Sequence, residues 1–268
     1  MEKFSKYAVW ALLALAPVVV SCSDDDEPKQ PSREIAKVRV YKAANVDYSL
    51  NMMAEFKFSY DGKGRVEKVT TNYKAQEVNY DYETNLVKYS WLGSDQAQGG
   101  TFVNRFEAAL RNGRVQAASL VHTAGMNMDT TYVYNYHYTN DGYIEDATFG
   151  SSLLLSYNWG NASLTIKGNT SKYDEQYGYS SVLNNYSVNL NALPLLVDLR
   201  ANVVLELNVY AQLADMLGTR YPMFLEDKDY AYTYYFDGEG RLVQIVQEPA
   251  SLLPSKQDTY WFMMSYSE

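Results

Sequence analysis

Cysteine and histidine are scarce in this chain. Among 268 residues there are one cysteine, Cys22, and two histidines, His122 and His137. One cysteine cannot form an internal disulfide, and two histidines are too few for a zinc site built mainly from imidazole ligands. We therefore expect no disulfide framework, no metal and no cofactor.

Clusters of basic residues are also missing. The chain has 23 Lys and Arg against 32 Asp and Glu, which gives a formal net charge of −9. An acidic chain repels the phosphate backbone of nucleic acids, so we expect no nucleic-acid partner. The apolar run at residues 7–20 is shorter than the roughly 20 residues that a helix needs to cross a bilayer.

The first 21 residues have the layout of an export signal. Lys3 and Lys6 precede the apolar run, which is followed by the small residue Ser21 and by Cys22. This order predicts a removable signal peptide, residues 1–21, with cleavage between Ser21 and Cys22. An ordinary secretory signal with a cysteine near the cut is the alternative, and it would leave a reactive thiol on the exported protein.

The segment Val19-Val20-Ser21-Cys22 resembles the lipobox of bacterial lipoproteins, although Val19 stands where leucine is usual. The resemblance implies that the Cys22 thiol carries diacylglycerol and that acyl chains hold the mature protein to a membrane. An acylated Cys22 is then unable to serve in a Cys-His catalytic dyad.

An acidic segment follows the cysteine. Residues 24–27 are Asp-Asp-Asp-Glu, and Pro28 and Pro31 come next. A like-charge run with prolines predicts a solvated flexible tether, residues 22–33. It also resembles the start of surface-exported lipoproteins of the Bacteroidetes, which implies the cell-surface side of the outer membrane. A periplasm-facing protein with a plain hydrophilic spacer is the alternative.

Tyrosine is abundant, with 26 residues, beside 9 phenylalanines and 4 tryptophans. Aromatic side chains suit the pleated surface of a sheet, and tyrosine can keep its hydroxyl in water. This composition predicts a wide antiparallel sheet. A tyrosine-rich face that binds sugars or proteins would have the same composition.

A strand-turn-strand unit recurs along the chain. Residues 55–60 alternate aromatic with polar side chains, Asp61-Gly62-Lys63-Gly64 interrupts them, and a second strand starts near Arg65. Glycine supplies the positive φ angles of a tight hairpin. The same layout returns at residues 134–144 and 232–243, with weaker echoes at 79–82, 111–115 and 155–161. Repeated hairpins predict a meandering sheet of like units.

Two of these units resemble the YD repeat of cell-surface shells and toxin cocoons. Residues 58–66 read Phe-Ser-Tyr-Asp-Gly-Lys-Gly-Arg-Val, and residues 234–242 read Tyr-Tyr-Phe-Asp-Gly-Glu-Gly-Arg-Leu. The chain as a whole resembles predicted Bacteroidetes surface lipoproteins of unknown function, which combine a lipobox, an acidic tether, YD-like hairpins and a late Asn-Leu-Asn segment. That segment is here residues 189–191.

One stretch departs from the β pattern. Asn191 is a plausible helix cap, and Leu205, Val209 and Leu213 keep helical spacing towards Gly218. We expect one or two short helices near residues 191–217, packed on the sheet. An amphipathic membrane helix would carry a Lys/Arg face, which this stretch lacks.

Catalytic signatures are thin. His137 lies in a predicted strand, where cross-strand packing is favoured over a general-base role. There is no Gly-x-Ser-x-Gly elbow to support a Ser-His-Asp triad. Asp61, Asp141 and Asp237 lie in glycine-containing turns that could suggest calcium, but each turn offers too few carboxylates, and stabilisation of the turn is favoured.

A short motif concerns modification. Asp129-Thr130-Thr131 resembles the acceptor for O-glycosylation in exported Bacteroidetes proteins, which implies that Thr130 is a glycosylated residue on an exposed loop.

Together these observations predict three regions: the signal peptide, the tether, and a single mainly β domain, residues 34–268. We expect a lipid-anchored, non-enzymatic envelope protein whose tyrosine-rich sheet presents a surface to a glycan or to another envelope protein. A hydrolase acting on extracellular polysaccharide through two carboxylates from distant strands is the alternative. A carrier whose curved sheet cups an acyl chain is a second alternative.

Overall fold

The aromatic alternation of the sequence folds as one large antiparallel sheet. The computed structural model describes residues 34–44, 51–72, 76–95, 100–124, 129–169, 174–192, 203–251 and 258–267. In these ranges, sixteen strands accompany a 3-10 helix, Leu190–Ala192, and an α-helix, α1, Val203–Leu213. The strands are β1 Ile35–Ala44, β2 Asn51–Tyr60, β3 Val66–Thr71, β4 Gln76–Asp81, β5 Leu86–Asp95, β6 Gly100–Arg111, β7 Arg114–Ala124, β8 Asp129–Tyr138, β9 Ile144–Phe149, β10 Ser152–Trp159, β11 Ser163–Gly168, β12 Glu175–Leu183, β13 Met223–Asp227, β14 Tyr230–Phe236, β15 Leu242–Pro249 and β16 Asp258–Tyr266.

The sheet is a meander that almost closes on itself. Each strand from β1 to β12 pairs with the next one, while β1 also pairs with β16, which continues through β15 to β14. The two edge strands, β13 and β14, are therefore neighbours in the chain. Asp227 N donates to the Tyr232 hydroxyl over 3.1 Å, and the Tyr234 hydroxyl donates to Glu226 Oε1 over 2.9 Å, so side chains bridge the seam. The predicted large antiparallel meander is confirmed.

The two faces of the sheet differ sharply in chemistry. The inner face supplies the apolar core, with Phe56, Phe106 and Phe262 almost fully buried. The outer face carries charged side chains, which pair across strands, as Arg39 and Glu55 do at 2.7 Å. Burial of apolar surface is the main favourable term in folding, so the inner face stabilises the sheet.

Most of the tyrosines whose side chains the structure describes belong to the interior or to the strand ends. Among them, Tyr235 is the one exposed tyrosine, with 48% of its surface accessible. For these residues the enrichment in tyrosine reflects packing inside the sheet. They do not form the broad exposed tyrosine face that the composition suggested for binding.

An inner segment, formed by the described residues of 184–222, lies on the concave side of the sheet. The Tyr80 hydroxyl of β4 donates to the Tyr210 carbonyl over 2.7 Å, while Val115 N of β7 donates to the Met216 carbonyl over 2.9 Å. Asn208 of α1 donates to the Tyr157 hydroxyl of β10 over 3.2 Å. These strands lie far apart in the sheet order, so a segment that touches all of them must lie inside the curl.

The helices lie where the sequence predicted them, but α1 ends earlier than Gly218. Asp215 has φ +57°, Met216 N donates to the Ala211 carbonyl, and Asp215 N donates to the Gln212 carbonyl. This pair of bonds is a Schellman motif with aspartate in the position that usually holds glycine. Asn191 does not cap α1, because it lies in the 3-10 helix and its side chain binds β13.

Alternate turns of a meander share one end of the sheet, and we name it the tight-turn end. It gathers the turns at 61–65, 82–85, 112–113, 139–143, 160–162 and 237–241. In the first of these turns the Asp61 carboxylate accepts bonds from the backbone N–H groups of Lys63 and Arg65 and from Arg65 Nε. Those bonds, that from the Arg65 backbone above all, lower the pKa of Asp61. Gly64 supplies the positive φ of the turn, +74°.

The tight-turn end is reinforced by aromatic side chains that bind backbone carbonyls. In five hairpins, an aromatic residue at or just after the end of an even-numbered strand donates to the carbonyl of the first or second residue of the odd-numbered strand before it. The pairs are Tyr60 to Ile35, Tyr82 to Val66, Tyr138 to Val115, Trp159 to Ile144 and Tyr266 to Leu242, at 2.6 to 2.8 Å. Burial raises the pKa of Tyr60 and of Tyr82 to about 12, so both hydroxyls remain donors at neutral pH. The recurring tyrosines therefore have a structural role.

Candidate functional site

Asparagine side chains fix the inner segment against the seam. Asn191 Nδ2 donates to the Met223 carbonyl over 3.0 Å, and Asn191 Oδ1 accepts from Leu225 N over 2.9 Å. One amide thus takes the place of a neighbouring strand along the edge of β13. Asn184 Nδ2 donates to Asn189 Oδ1 over 2.8 Å, so the late Asn-Leu-Asn segment is a structural element of the interior.

The middle one of the three predicted strand-turn-strand units has its turn at residues 139–143, and this middle hairpin is docked on the inner segment. Thr219 N donates to the Gly142 carbonyl over 2.8 Å, and Tyr143 forms an isolated β-bridge with Gly218. A Cβ on Gly218 would lie 2.5 Å from the Gly142 carbonyl oxygen, and its φ is +90°. Glycine is required at this position because any larger residue would separate the two segments.

Four partly buried aromatic residues gather beside this contact, and we name them the aromatic cluster: Tyr143, Trp159, Tyr179 and Tyr221. The Tyr221 ring stacks on Tyr179 with centroids 4.2 Å apart and on Trp159 with centroids 5.9 Å apart. Tyr143 lies against Trp159 at 4.9 Å. Three members come from the sheet or its turns and one comes from the inner segment, so the cluster forms only when the two are joined.

A cleft opens between the aromatic cluster and the end of α1. Hydrogen-bonding side chains line it beside the rings: Asn189, Asn191, Gln212, Asp215, Thr219 and Arg220. Arg220 Nε donates to Asp215 Oδ1 over 2.8 Å, and Arg220 also donates to the carbonyls of Asn184 and Tyr186. The guanidinium group therefore joins the end of α1 to the first residues of the inner segment.

The enclosed part of the cleft is small. Its volume is about 40 Å³, which is room for about two or three water molecules. A ligand larger than that would rest at the mouth, beside Trp159 and Tyr221 and the partly or fully exposed polar residues of the lining, Gln212, Asp215 and Thr219. Burial raises the pKa of the Tyr157 hydroxyl at the inner end, so that hydroxyl remains neutral.

Aromatic rings beside amide, carboxylate and guanidinium groups suit a ligand with both an apolar side and hydroxyl groups. The ring faces are electron-rich and attract C–H groups, while the polar side chains offer donors and acceptors in one direction. Among the described residues that line this cleft, Asp215 is the one carboxylate, and Arg220 pairs with it. The arrangement supports binding, and it does not supply the two carboxylates that hydrolysis of a glycosidic bond requires.

The structure separates the residues that the sequence had singled out. His137 lies on the outer face, 57% exposed, with its Nδ1 2.5 Å from Asp146 Oδ1 on β9. It makes a cross-strand contact, as the sequence favoured, and lies apart from the cleft. Asp61 and Asp237 are held by the arginines of their own turns.

Other predicted residues are only partly described or not at all. The backbone of Thr130 lies in β8, paired with His122 of β7, so the expectation that Thr130 lies on a loop is wrong. Ser21, Cys22, the signal peptide and the tether lie outside the described residues. Within the described ranges no three His, Cys, Asp or Glu side chains gather as a metal site would require. No helix in those ranges is long and apolar enough to cross a membrane.

Sequence reasoning missed the members of the site that come from distant parts of the chain. Trp159 lay in a weak echo of the hairpin pattern, and Tyr143 followed the turn of the middle hairpin. Neither pattern pointed to Tyr221, Gln212 or Arg220. These residues meet only because the inner segment returns to the tight-turn end. No local motif carries that information.

Comparison with known proteins gives a fold and no family. No family model matches the chain, and no curated protein matches it. Among solved structures the chain is similar to a porin-like protein from Bacteroides uniformis, with a TM-score of 0.54 and 14% identity over 88% of this chain and 99% of that one. It is also similar to a porin-like protein from Bacteroides vulgatus, with a TM-score of 0.51 and 13% identity over 87% of this chain and 98% of that one. At these identities the likeness shows that the chain shares their fold.

Proposed function

We propose that this chain is a lipid-anchored, non-catalytic envelope protein that binds a glycan at the mouth of the aromatic cleft. The observation that carries the proposal is the aromatic cluster beside the hydrogen-bonding groups of Gln212, Asp215 and Thr219. A sugar ring has C–H groups for the rings and hydroxyls for the polar side chains.

The envelope location is supported by the sequence and by the kind of protein that shares the fold. The lipobox-like segment ending at Cys22 favours a lipid anchor, and the structural neighbours are named porin-like. The charged outer face suits a domain surrounded by water. Passage of solutes is not part of the proposal, because core side chains and the inner segment occupy the concave side of the sheet.

Neither alternative receives comparable support at this site. A polysaccharide hydrolase would need a second carboxylate across the cleft from Asp215. A carrier of acyl chains would need a long dry groove, whereas this cleft encloses space for a few water molecules and is lined by polar side chains as well as rings.

The binding proposal is tested with purified lipidated protein on an array of bacterial surface glycans, followed by calorimetry with the best-binding saccharide. Tyr221→Ala removes a ring that belongs to the aromatic cluster and also lines the cleft. Phe149→Ala is the matched control, because Phe149 is an exposed aromatic residue that does not line the cleft. We expect Tyr221→Ala to weaken binding about three- to tenfold and Phe149→Ala to leave it unchanged.

Melting curves of both variants establish that each remains folded. Absence of any glycan ligand, or an equal effect of the two substitutions, would contradict the proposal. Specific retention of another envelope protein that Tyr221→Ala abolishes would replace the glycan with a protein partner. The anchor is tested separately: a fatty-acid analogue should label the wild-type chain and not Cys22→Ser.

A further inference from the structure

The tether enters the domain at the tight-turn end. Glu34 follows the tether directly, and its carbonyl accepts a hydrogen bond from Ser267 N over 2.9 Å. Ile35 N donates to Ser187 Oγ over 3.0 Å, and the Ile35 carbonyl accepts from the Tyr60 hydroxyl over 2.6 Å. The entry point is therefore fixed by bonds to β2, to the residue that follows β16 and to the inner segment.

The aromatic cleft opens at this same end. Trp159 closes β10 there, with its Nε1 on the Ile144 carbonyl, and Tyr143 belongs to the turn between β8 and β9. Thr219, on the cleft wall, binds the Gly142 carbonyl in that turn. The attachment of the tether and the mouth of the cleft thus share one end of the sheet.

The tether is short. Residues 22–33 are twelve residues, and a chain of that length can span at most about 40 Å. A binding site held this close to a membrane meets ligands in that membrane at an effective concentration in the millimolar range. A ligand in the same bilayer is therefore favoured over the same sugar free in solution.

Electrostatic attraction to anionic lipid would not hold the tight-turn end at the membrane. Arg65, Arg241 and Arg220 lie at the tight-turn end, and each is paired with an aspartate four or five residues earlier: Asp61, Asp237 and Asp215. The other basic residues in or beside its turns, Lys63, Arg111 and Arg114, are outnumbered by the acidic residues Asp81, Glu83, Asp141 and Glu239. The tether itself is acidic at residues 24–27. An end without excess positive charge, beside an acidic tether, would not attract an anionic lipid surface.

From this juxtaposition we infer that the cleft binds the sugar headgroup of a lipid in the membrane that carries the anchor. The inference rests on the proposed function, since it names the source of the glycan bound by the aromatic cluster. It makes the protein a receptor for a membrane-borne saccharide, bound in cis.

The test uses the lipidated chain in phosphatidylcholine vesicles that contain a synthetic lipid-linked form of the best-binding saccharide. Free saccharide is added to displace the protein from the lipid-linked form, and displacement is followed by tryptophan fluorescence. A variant with thirty-six Gly and Ser residues inserted after Arg33 makes the tether four times as long. The ligand diffuses in the bilayer, so its effective concentration falls in inverse proportion to the height that the cleft explores above the membrane, and this height grows with about the square root of linker length. We therefore expect half-displacement at about twofold less free saccharide.

The control is calorimetry of both proteins with the free saccharide, which should give equal affinities. Equal displacement for the short and long tethers would overturn the inference while leaving glycan binding intact. Binding of the unlipidated Cys22→Ser protein to vesicles of phosphatidylcholine and phosphatidylglycerol without the saccharide would overturn it as well. If no saccharide binds the protein in solution, the proposed function itself fails, and the two failures are thereby distinguished.

Discussion

Three hairpins of this protein share one backbone frame and differ in what completes it. In the first, Asp61 N donates to the Arg65 carbonyl and Gly64 N donates to the Asp61 carbonyl, each over 2.9 Å. The last, residues 237–241, repeats both bonds, and so does the middle one, residues 139–143, with Thr139 in the aspartate position and Tyr143 in the arginine position. The backbone frame thus persists when its two characteristic side chains are replaced.

The replacements change what each hairpin depends on. Asp61 and Asp237 each bind two backbone N–H groups and the arginine four residues later, so these turns are complete without help from elsewhere. Thr139 supplies one side-chain bond, to Tyr143 N, and the rest of the support comes from Gly218 and Thr219 of the inner segment. The hairpin that departs from the repeat is the one that helps to form the cleft.

The largest effect is expected where the dependent hairpin meets the inner segment. Gly218→Ala would place a Cβ 2.5 Å from the Gly142 carbonyl oxygen in a backbone with φ +90°. We expect a loss of roughly 3 kcal/mol in the free energy of unfolding, which corresponds to about 6–12 °C in melting temperature. Gly62→Ala is the control in a self-contained hairpin, because a Cβ on Gly62 would have no atom within 4 Å. Equal melting temperatures for the two variants would remove the distinction between the hairpins.

The sequence predicted the parts of the fold that depend on neighbouring residues. Alternation and the Asp-Gly turns near residues 61 and 237 specified strands and hairpins locally, and the spacing of Val209 and Leu213 indicated α1. The closure of the sheet and the position of the inner segment could not be predicted. They depend on pairs such as Asn191 with Leu225, which lie 34 residues apart, and Tyr80 with Tyr210, which lie 130 apart.

The candidate site was harder to predict than the fold, for the same reason. The tyrosines looked like a binding surface because alternation shows which residues share a face and does not show which face is inside. Arg220 and Tyr221 follow a helix end with no motif of their own. Their role comes from the return of the inner segment to the tight-turn end.

A smaller effect should reveal coupling between the dependent hairpin and its partner. The Tyr138 hydroxyl donates to the Val115 carbonyl, and Tyr138 Cδ1 would lie 3.1 Å from a Cβ on Gly218. Tyr138→Phe should cost about 1 kcal/mol in stability, and its effect should change by at least about 0.5 kcal/mol in the Gly218→Ala background. Tyr82→Phe removes the matching bond, to the Val66 carbonyl, beside a self-contained hairpin.

Chemical denaturation of the three single variants and the two double variants provides the measurement. We expect Tyr82→Phe to be nearly additive with Gly218→Ala, because Tyr82 binds a carbonyl far from the inner segment's contact with the middle hairpin. Additivity in both cycles would mean that the middle hairpin is as independent of the inner segment as the first hairpin is.

The smallest expected effect is a loss of local stability in two of the turns at low pH. Bonds from the backbone N–H of Arg65 and of Arg241, the largest cause, hold the pKa values of Asp61 and Asp237 below the ordinary value of 3.8. Since the folded pKa is lowered, these carboxylates stabilise their turns fully above pH 3.8 and lose that contribution as the pH falls through the folded value. Thr139, which holds the same position in the middle hairpin, does not titrate.

Amide hydrogen exchange, corrected for its intrinsic pH dependence, can follow the three turns between about pH 6 and about pH 3. The amides of Arg65 and Arg241 should lose protection towards the acidic end of that range, while the amide of Tyr143, which donates to the Thr139 hydroxyl over 3.2 Å, should keep its own. Asp61→Asn should remove the pH dependence at Arg65 alone. If Tyr143 loses protection together with the two arginines, the acid response belongs to the whole sheet, and the difference between carboxylate-held and partner-held turns is not what sets their local stability.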